Sequence, residues 1–92
     1  MKMEFVFDEE KMQNRGYTTD GVLNPIRKHL NHFGKNIKEE KTGLFVGTDE
    51  DFSAFAMLTT RLPRKEWFMA VIKSWLWEVN DHTVEDCLEE LQ

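Results

Sequence analysis

The chain has 92 residues, 40% of them hydrophobic, which is enough for a single domain spanning residues 1–92 and excludes a disordered tail. The formal net charge of −5 disfavours nonspecific binding to nucleic acid, because that binding needs Lys and Arg to neutralise phosphates. A single cysteine excludes an internal disulfide, and the apolar N-terminal run is too short for a signal peptide or a membrane span. We therefore expect a cytoplasmic protein without membrane contact.

The chain begins with a predicted strand and a short helix. In "MEFVF", Met3, Phe5 and Phe7 alternate with residues that point to the other face, which is the period of a half-buried strand. The segment from Asp8 to Arg15 predicts a short helix, and Gly16 is suited to end it.

A second helix is predicted in "TTDGVLNPIRKHLNHFG", where apolar residues recur at helical spacing before Gly34. Proline lacks the N–H that a helix interior uses, but it is favoured at the first helical position. We therefore expect Asn24 to cap a regular helix from Pro25 to Phe33, after an irregular or kinked approach.

The middle of the chain predicts three strands. "NIKEEKTGLFVG" has a strand around Ile37, a turn at residues 41–43, and a second strand from Leu44 to Val46. "FSAFAMLTT" follows an acidic turn and is apolar on both faces, which is typical of a central strand.

The tryptophan-rich segment "EWFMAVIKSWLWEV" predicts a helix that starts after Pro63. Six apolar residues fall on one half of a helical wheel: Trp67, Phe68, Val71, Ile72, Trp75 and Leu76. On this interpretation Trp67 and Trp75 belong to the core, whereas Trp77 points away from the sheet and is free for a partner.

A short amphipathic helix is predicted at the C-terminus, because Thr83 can act as its N-cap and Val84, Cys87, Leu88 and Leu91 follow at helical spacing. The predicted order is β-α-β-β-β-α-α. This order indicates an α+β two-layer sandwich, with an antiparallel-rich sheet and helices on one face.

Chemical motifs are absent from the sequence. His29, His32, His82 and Cys87 are residue types that bind zinc, but they form neither an HExxH nor a CxxC element. Cys87 lies on the apolar side of its predicted helix, which favours a buried, unreactive thiol. We therefore expect no catalytic residues, no metal, no cofactor and no enzymatic activity.

The second face of the predicted sheet is the candidate binding surface. Val6, Phe45, Phe55 and Met57 would project from it if no other segment covers it, and a contiguous apolar patch usually marks an interface. The predicted partner-binding residues are Phe45, Phe55, Met57 and Trp77, together with the acidic turn Asp49, Glu50 and Asp51. The partner would be another protein, or a second copy in a homodimer.

The segments "MEFVFDEE", "RGYT", "EWFMAVIKSWLW" and "TVEDCLEE" resemble a family of small accessory proteins carried by conjugative elements and phages of Gram-positive bacteria. The similarity spans nearly the whole chain and lies in aromatic and acidic spacing. It implies a non-enzymatic accessory protein of a mobile element, and it brings no active-site residues with it. The position of Pro25 departs from the continuous helix of such relatives.

Three other functions stay open. The acidic stretch from Glu78 to Glu90 is consistent with a nucleic-acid mimic that inhibits a host nuclease, as anti-CRISPR and anti-restriction proteins do. The αβββα part of the order is that of double-stranded-RNA-binding domains, although the negative charge disfavours RNA binding. An enzyme would need a deep pocket that holds His29 or His82 beside a buried carboxylate.

Overall fold

The computed structural model describes residues 1–91, and within them five antiparallel strands form one sheet with helices on one face. The first half of the chain contains β1 (Lys2–Phe7), α1 (Glu9–Arg15), α2 (Thr19–Phe33), β2 (Lys38–Lys41) and β3 (Leu44–Val46). The second half contains α3 (Phe52–Arg61), α4 (Glu66–Met69), β4 (Ile72–Asn80) and β5 (Thr83–Asp86), with 3-10 turns at Asp49–Asp51, Leu62–Arg64 and Glu89–Leu91. The predicted α+β class is confirmed.

The strand order is β2-β3-β1-β4-β5, so the N-terminal strand is the centre of the sheet. On β1, Met3 and Phe5 lie opposite Trp77 and Trp75 of β4, and all four side chains are buried under the helices. The ring of Phe5 stacks on Trp75 with centroids 5.7 Å apart. The covered face of the sheet is therefore an aromatic core, as the alternation in "MEFVF" predicts.

Local signals place α1 as predicted. The carboxylate of Asp8 accepts a hydrogen bond from the Lys11 N–H at 3.1 Å, which caps the first turn. Gly16 ends the helix with a φ of 70°, a conformation that glycine adopts without steric cost.

The predicted hairpin is also present. Gly43 has a φ of 83°, and a Cβ there would lie 2.6 Å from the Phe5 carbonyl oxygen. The turn between β2 and β3 therefore needs glycine both for its backbone conformation and for its close approach to β1.

The prediction for the start of α2 is wrong, because the helix begins at Thr19 and runs through Pro25. The hydroxyl of Thr18 accepts a hydrogen bond from the Gly21 N–H at 3.0 Å and caps the first turn. Val22 and Leu23 are buried by this early turn. Burial of these two side chains offsets the one helical hydrogen bond that proline cannot donate.

"FSAFAMLTT" is a helix and not the predicted central strand. Ala54, Phe55 and Leu58 are its buried residues, at the i, i+1, i+4 spacing of one helical face. A run that is apolar on both faces of a strand also carries an apolar stripe as a helix, and alanine, methionine and leucine favour helix.

The tryptophan-rich segment forms one helical turn, α4, and then the nine-residue strand β4 instead of the predicted helix. Trp75 and Trp77 are two residues apart, so in a strand both face the same side, and both are buried against the helices. Trp77, which the sequence placed on the surface, is only 4% exposed. The half-buried tryptophan is Trp67.

The predicted C-terminal helix is likewise replaced, by β5 and a 3-10 turn. The Asn80 side chain accepts a hydrogen bond from the His82 N–H at 2.8 Å, which shapes the turn between β4 and β5. Asp86, and not Thr83, is the capping residue of the region, because its carboxylate accepts from the N–H groups of Leu88 and Glu89.

Candidate protein-interaction surface

The aromatic residues that the sequence assigned to an open face lie in the core. Phe45, Phe55 and Trp77 are 3%, 0% and 4% exposed, so the prediction that they project toward a partner is wrong. Phe45 is opposite Met3 on the covered side of the sheet, and Phe55 belongs to α3, which packs against Trp77 with ring centroids 6.3 Å apart. Their hydrophobic area stabilises the fold itself.

Met57 and Val6 have different positions. Met57 is half-buried on α3, in the helical layer, so it does not belong to the sheet face that was predicted to carry it. Val6 does lie on the open face of the sheet and is 42% exposed. It is the one member of the predicted patch that the structure places there.

The acidic turn divides into two exposed carboxylates and one buried carboxylate. Asp49 and Glu50 are exposed, but Asp51 is fully buried. The Asp51 carboxylate accepts hydrogen bonds from the N–H groups of Lys35 at 2.6 Å and Thr48 at 3.0 Å. Asp51 therefore ties the end of α2 to the start of α3, and only its two neighbours are free to contact a partner.

The pKa of Asp51 is lowered below its ordinary value. Burial acts to raise it, but the backbone N–H groups of Lys35, Thr48 and Asn36 stabilise the carboxylate and outweigh the burial. Asp51 is consequently charged and structural at neutral pH.

The open face of the sheet carries aliphatic residues between charged ones, and no helix covers it. We define this open face by the side chains that point away from the helices: Lys2, Glu4, Val6, Lys38, Lys41, Leu44, Val46, Ser74, Leu76, Glu78, Val84 and Asp86. Six of these residues border a shallow depression of about 240 Å³. Val84 is 63% exposed, whereas Leu44 and Leu76 are half-buried. The face therefore offers separated apolar contacts and not the contiguous aromatic patch that was predicted.

One edge of the open face is acidic. Strands β4 and β5 and the final turn carry six carboxylates, which we call the acidic edge: Glu78, Asp81, Glu85, Asp86, Glu89 and Glu90. Within residues 1–91 none of the six forms an ion pair with Lys or Arg. Lys2 is the cation beside this edge, because it lies opposite Glu78 in the register of β1 and β4. The other five carboxylates give the edge an excess of negative charge that favours a cationic partner.

The acidic edge affects the pKa of the neighbouring Cys87 thiol. Its thiol is buried, as the sequence predicts, and burial together with the charges of Glu90, Glu85 and Asp86 raises its pKa to about 12. A thiol held in the protonated form is a poor nucleophile.

The three histidines lie in different parts of the molecule. His29 is half-buried against α3, whereas His32 and His82 are exposed. Among residues 1–91, no three His, Cys, Asp or Glu side chains come together in an arrangement that could hold a metal ion.

The period-two alternation in "SWLWEV" is the signal that would have identified the open face. It places Trp75 and Trp77 on one side of β4 and Leu76 and Glu78 on the other.

Comparisons with protein-family models, with curated proteins and with solved structures returned no match. No helix in the described part of the chain combines the length and apolar composition that crossing a membrane requires.

Proposed function

We propose that this protein is a small, non-enzymatic binding module that occupies a basic surface of a partner protein with the open face of its sheet. The observation that carries the proposal is the open face with its acidic edge, where exposed Val84 lies among carboxylates that have no cationic partner in the described chain. In the cell it would act as a cytoplasmic accessory protein of a mobile element, as the sequence resemblance implies.

The apolar residues of the open face would supply the contact energy. Leu44 on β3, Leu76 on β4 and Val84 on β5 border the shallow depression, which also crosses the central strand β1. A partner side chain of modest size could be buried there. Interfaces of this kind combine a few apolar anchors with a polar rim that excludes water.

The acidic edge would supply orientation and speed of association. The six carboxylates along this edge of the sheet would attract a cationic surface over a distance of about 10 Å in ordinary salt. The partner is therefore expected to present Lys and Arg, and binding is expected to weaken as salt rises.

A nucleic-acid-binding protein is one class of partner with such a surface. In that case the acidic edge would occupy the position of phosphates, and the module would compete with nucleic acid. The RNA-binding alternative loses its topological basis, because the segment after α2 has the order β-β-α-α-β-β and contains no three consecutive strands.

The first experiment is affinity capture from the native host lysate with matched variants. Val84→Arg places a charge on the β5 edge of the open face, beside the shallow depression, and Met69→Arg is the control because Met69 is 40% exposed outside that face. We expect a partner that the wild type and the control retain and that Val84→Arg loses. Each variant is checked for folding by thermal melting.

A second pair of variants tests the charge. Glu85→Lys with Asp86→Lys reverses two charges of the acidic edge, and Glu40→Lys reverses one exposed charge on β2 at the opposite side of the sheet. The affinity for the captured partner should fall at least tenfold in the first variant and little in the second. Equal retention by all variants contradicts the proposal, and a wild-type dimer that Val84→Arg dissociates would assign the open face to self-association.

A further inference from the structure

A second candidate site lies on the helical side of the molecule, away from the open face. It is an open depression of about 340 Å³ between α2, α3 and the turn that leads to α4. Its basic lining groups are Lys28, His29, His32, Arg61 and Lys65. No Asp or Glu of residues 1–91 lines it. We call it the basic cavity.

The positive charge of the basic cavity is not neutralised by the protein. Arg15 and Arg27 both form ion pairs with carboxylates, at 2.7 Å in each case. Lys28, Arg61 and Lys65 form none within the described chain. In a protein with a net charge of −5, unpaired cations gathered around one concave site favour an anionic ligand.

Arg61 is held in place before any ligand arrives. Its guanidinium lies 5.2 Å from the centre of the Phe33 ring, and its Nη1 lies 3.5 Å from Nδ1 of His29. Nε2 of His29 is 2.9 Å from the Ala54 carbonyl oxygen and must donate its proton to it, so Nδ1 is left as the acceptor that faces Arg61. His29 thereby acts as a positioning residue for Arg61.

The protonation state of His29 supports this arrangement. Burial is the largest effect and lowers the pKa of His29, whereas the hydrogen bond to Ala54 raises it. The charges of Arg61 and His32 lower the pKa further, so the net shift is downward. The imidazole is therefore neutral at pH 7, so Nδ1 keeps the lone pair that receives the Arg61 N–H.

An apolar groove adjoins the basic cavity. The groove has a volume of about 390 Å³ and shares Pro25 and Trp67 with the cavity. Tyr17 and Val22 line its other side, and Gly21 leaves it open at the edge. Trp67 is half-buried, so the core covers only part of its side chain. Tyr17, Pro25 and Trp67 give this groove ring surfaces on which a planar ring could pack.

We propose that the basic cavity and the apolar groove together form a nucleotide-binding site, in which a phosphate contacts Arg61, Lys28 and Lys65 while the base lies beside Trp67. Arginine and lysine are the side chains that bind phosphate oxygens, and aromatic side chains stack on bases in a sequence-tolerant way. The ligand is a free nucleotide or one unit of a single strand, which present the same phosphate and base.

The test measures binding by titration calorimetry and tryptophan fluorescence, with AMP, ATP, adenosine, inorganic phosphate and a short single-stranded oligonucleotide as probes. We expect saturable binding of ATP or of the oligonucleotide, and weaker binding of adenosine. Whichever of the two binds more tightly identifies the source of the nucleotide. Binding should quench Trp67, and Trp67→Phe should remove that signal.

Matched variants decide whether the site is the one described. Arg61→Gln with Lys65→Gln should lower the affinity about ten- to a hundredfold. Lys73→Gln, an exposed lysine on β4 outside the cavity, should leave it unchanged. His29→Gln should weaken binding and Arg61→Lys should not restore it fully, because the planar guanidinium is what Phe33 and His29 hold.

Several results would overturn the proposal. The proposal is wrong if no phosphate-bearing probe binds at millimolar concentration, or if adenosine binds as tightly as AMP. It is also wrong if Lys73→Gln loses as much affinity as the double variant. Because the open face lies on the other side of the sheet, none of these results bears on the partner-binding experiment.

Discussion

The carboxylate of Asp51 is the buried charge of the described chain, and it is fully satisfied. Besides the backbone N–H groups of Lys35 and Thr48, it accepts from the Asn36 N–H at 3.3 Å and the Thr48 hydroxyl at 3.4 Å. A buried charge is tolerated only when such partners replace water. Asp51 therefore connects the end of α2 to the start of α3, whereas the exposed Asp49 and Glu50 do not.

Replacing Asp51 should lower the stability of the fold. Asp51→Ala leaves buried N–H groups without an acceptor and is expected to lower the free energy of unfolding by about 3 kcal/mol. Asp49→Ala, two residues away and exposed, should change it by less than about 0.5 kcal/mol. Urea denaturation of the two variants measures the difference. Equal effects would mean that the turn matters only through its total charge.

The three tryptophans differ in burial, and the difference sets their energetic roles. We expect Trp75→Ala and Trp77→Ala each to cost about 4 kcal/mol, because both empty a closely packed core position. Trp67→Ala should cost about half as much, since that side chain is only half-buried. Guanidinium denaturation checks the order. A Trp77→Ala protein as stable as the wild type would contradict the burial of Trp77.

At the scale of elements, α2 shows how a local penalty is overridden. Pro25 leaves the Gly21 carbonyl without its helical donor, yet the helix continues through it. The Thr18 cap and the burial of Val22, Leu23 and Ile26 on one face hold the first turns in place. The helix interior thus carries an unfavourable residue that also lines both halves of the proposed nucleotide site.

Removing this penalty should stabilise the protein. Pro25→Ala restores the missing N–H and is expected to raise the free energy of unfolding by about 1 to 3 kcal/mol, after the greater freedom of the unfolded chain is subtracted. Lys28→Ala, exposed on the same helix, should change it by less than about 0.5 kcal/mol. Chemical denaturation gives both values. A less stable Pro25→Ala protein would show that packing of the proline ring outweighs the lost hydrogen bond.

At the scale of the whole molecule, charge is segregated. The acidic edge lies beside the open face, and the basic cavity lies on the helical side. The two proposed sites would therefore attract ligands of opposite charge without competing for one surface. The net charge of −5 alone does not show that acidic and basic residues lie on different sides of the molecule.

The ionisable groups also predict how stability depends on pH. Hydrogen bonds from Arg27 and Arg15 lower the pKa of Glu39 and Glu66, and that of Asp51 is also lowered. A carboxylate with a lowered folded pKa stabilises the protein above its unfolded pKa of about 4, and this contribution is lost as pH falls below it. The folded-state pKa of His29 is also lowered, so the unfolded chain binds a proton at His29 before the folded protein does. The free energy of unfolding therefore decreases by a smaller amount as pH falls below about 6.5.

We therefore expect a shallow decrease of the melting temperature between pH 7 and pH 5 and a steeper one below about pH 4. Thermal melts across this range measure it. His29→Gln should remove the shallow part, and Asp51→Asn should reduce the steep part. A melting temperature that is constant down to about pH 3 would contradict the assignment of these groups.

The sequence by itself determined the features that depend on neighbouring residues. These are the β1 alternation, the α1 cap and its final glycine, the β2-β3 hairpin, the burial of Cys87 and the α+β class. Each follows from a local rule: a side-chain period of two, a side chain that reaches the nearest backbone N–H groups, or a glycine at positive φ. Distant parts of the chain are not needed to satisfy such rules.

Tertiary structure decided the segments whose apolar residues fit two periods at once. "FSAFAMLTT" and "KSWLWEV" each present an apolar side as a helix and as a strand, so pattern alone could not choose between them. β1 needs a long antiparallel neighbour on its free side, and β4 provides one through register pairs from Phe7 with Ile72 to Lys2 with Glu78. That pairing buries Trp75 and Trp77 together, and it leaves Leu76 and Glu78 on the open face. The proposed binding surface is therefore formed by contacts about 70 residues apart in sequence, which no local pattern encodes.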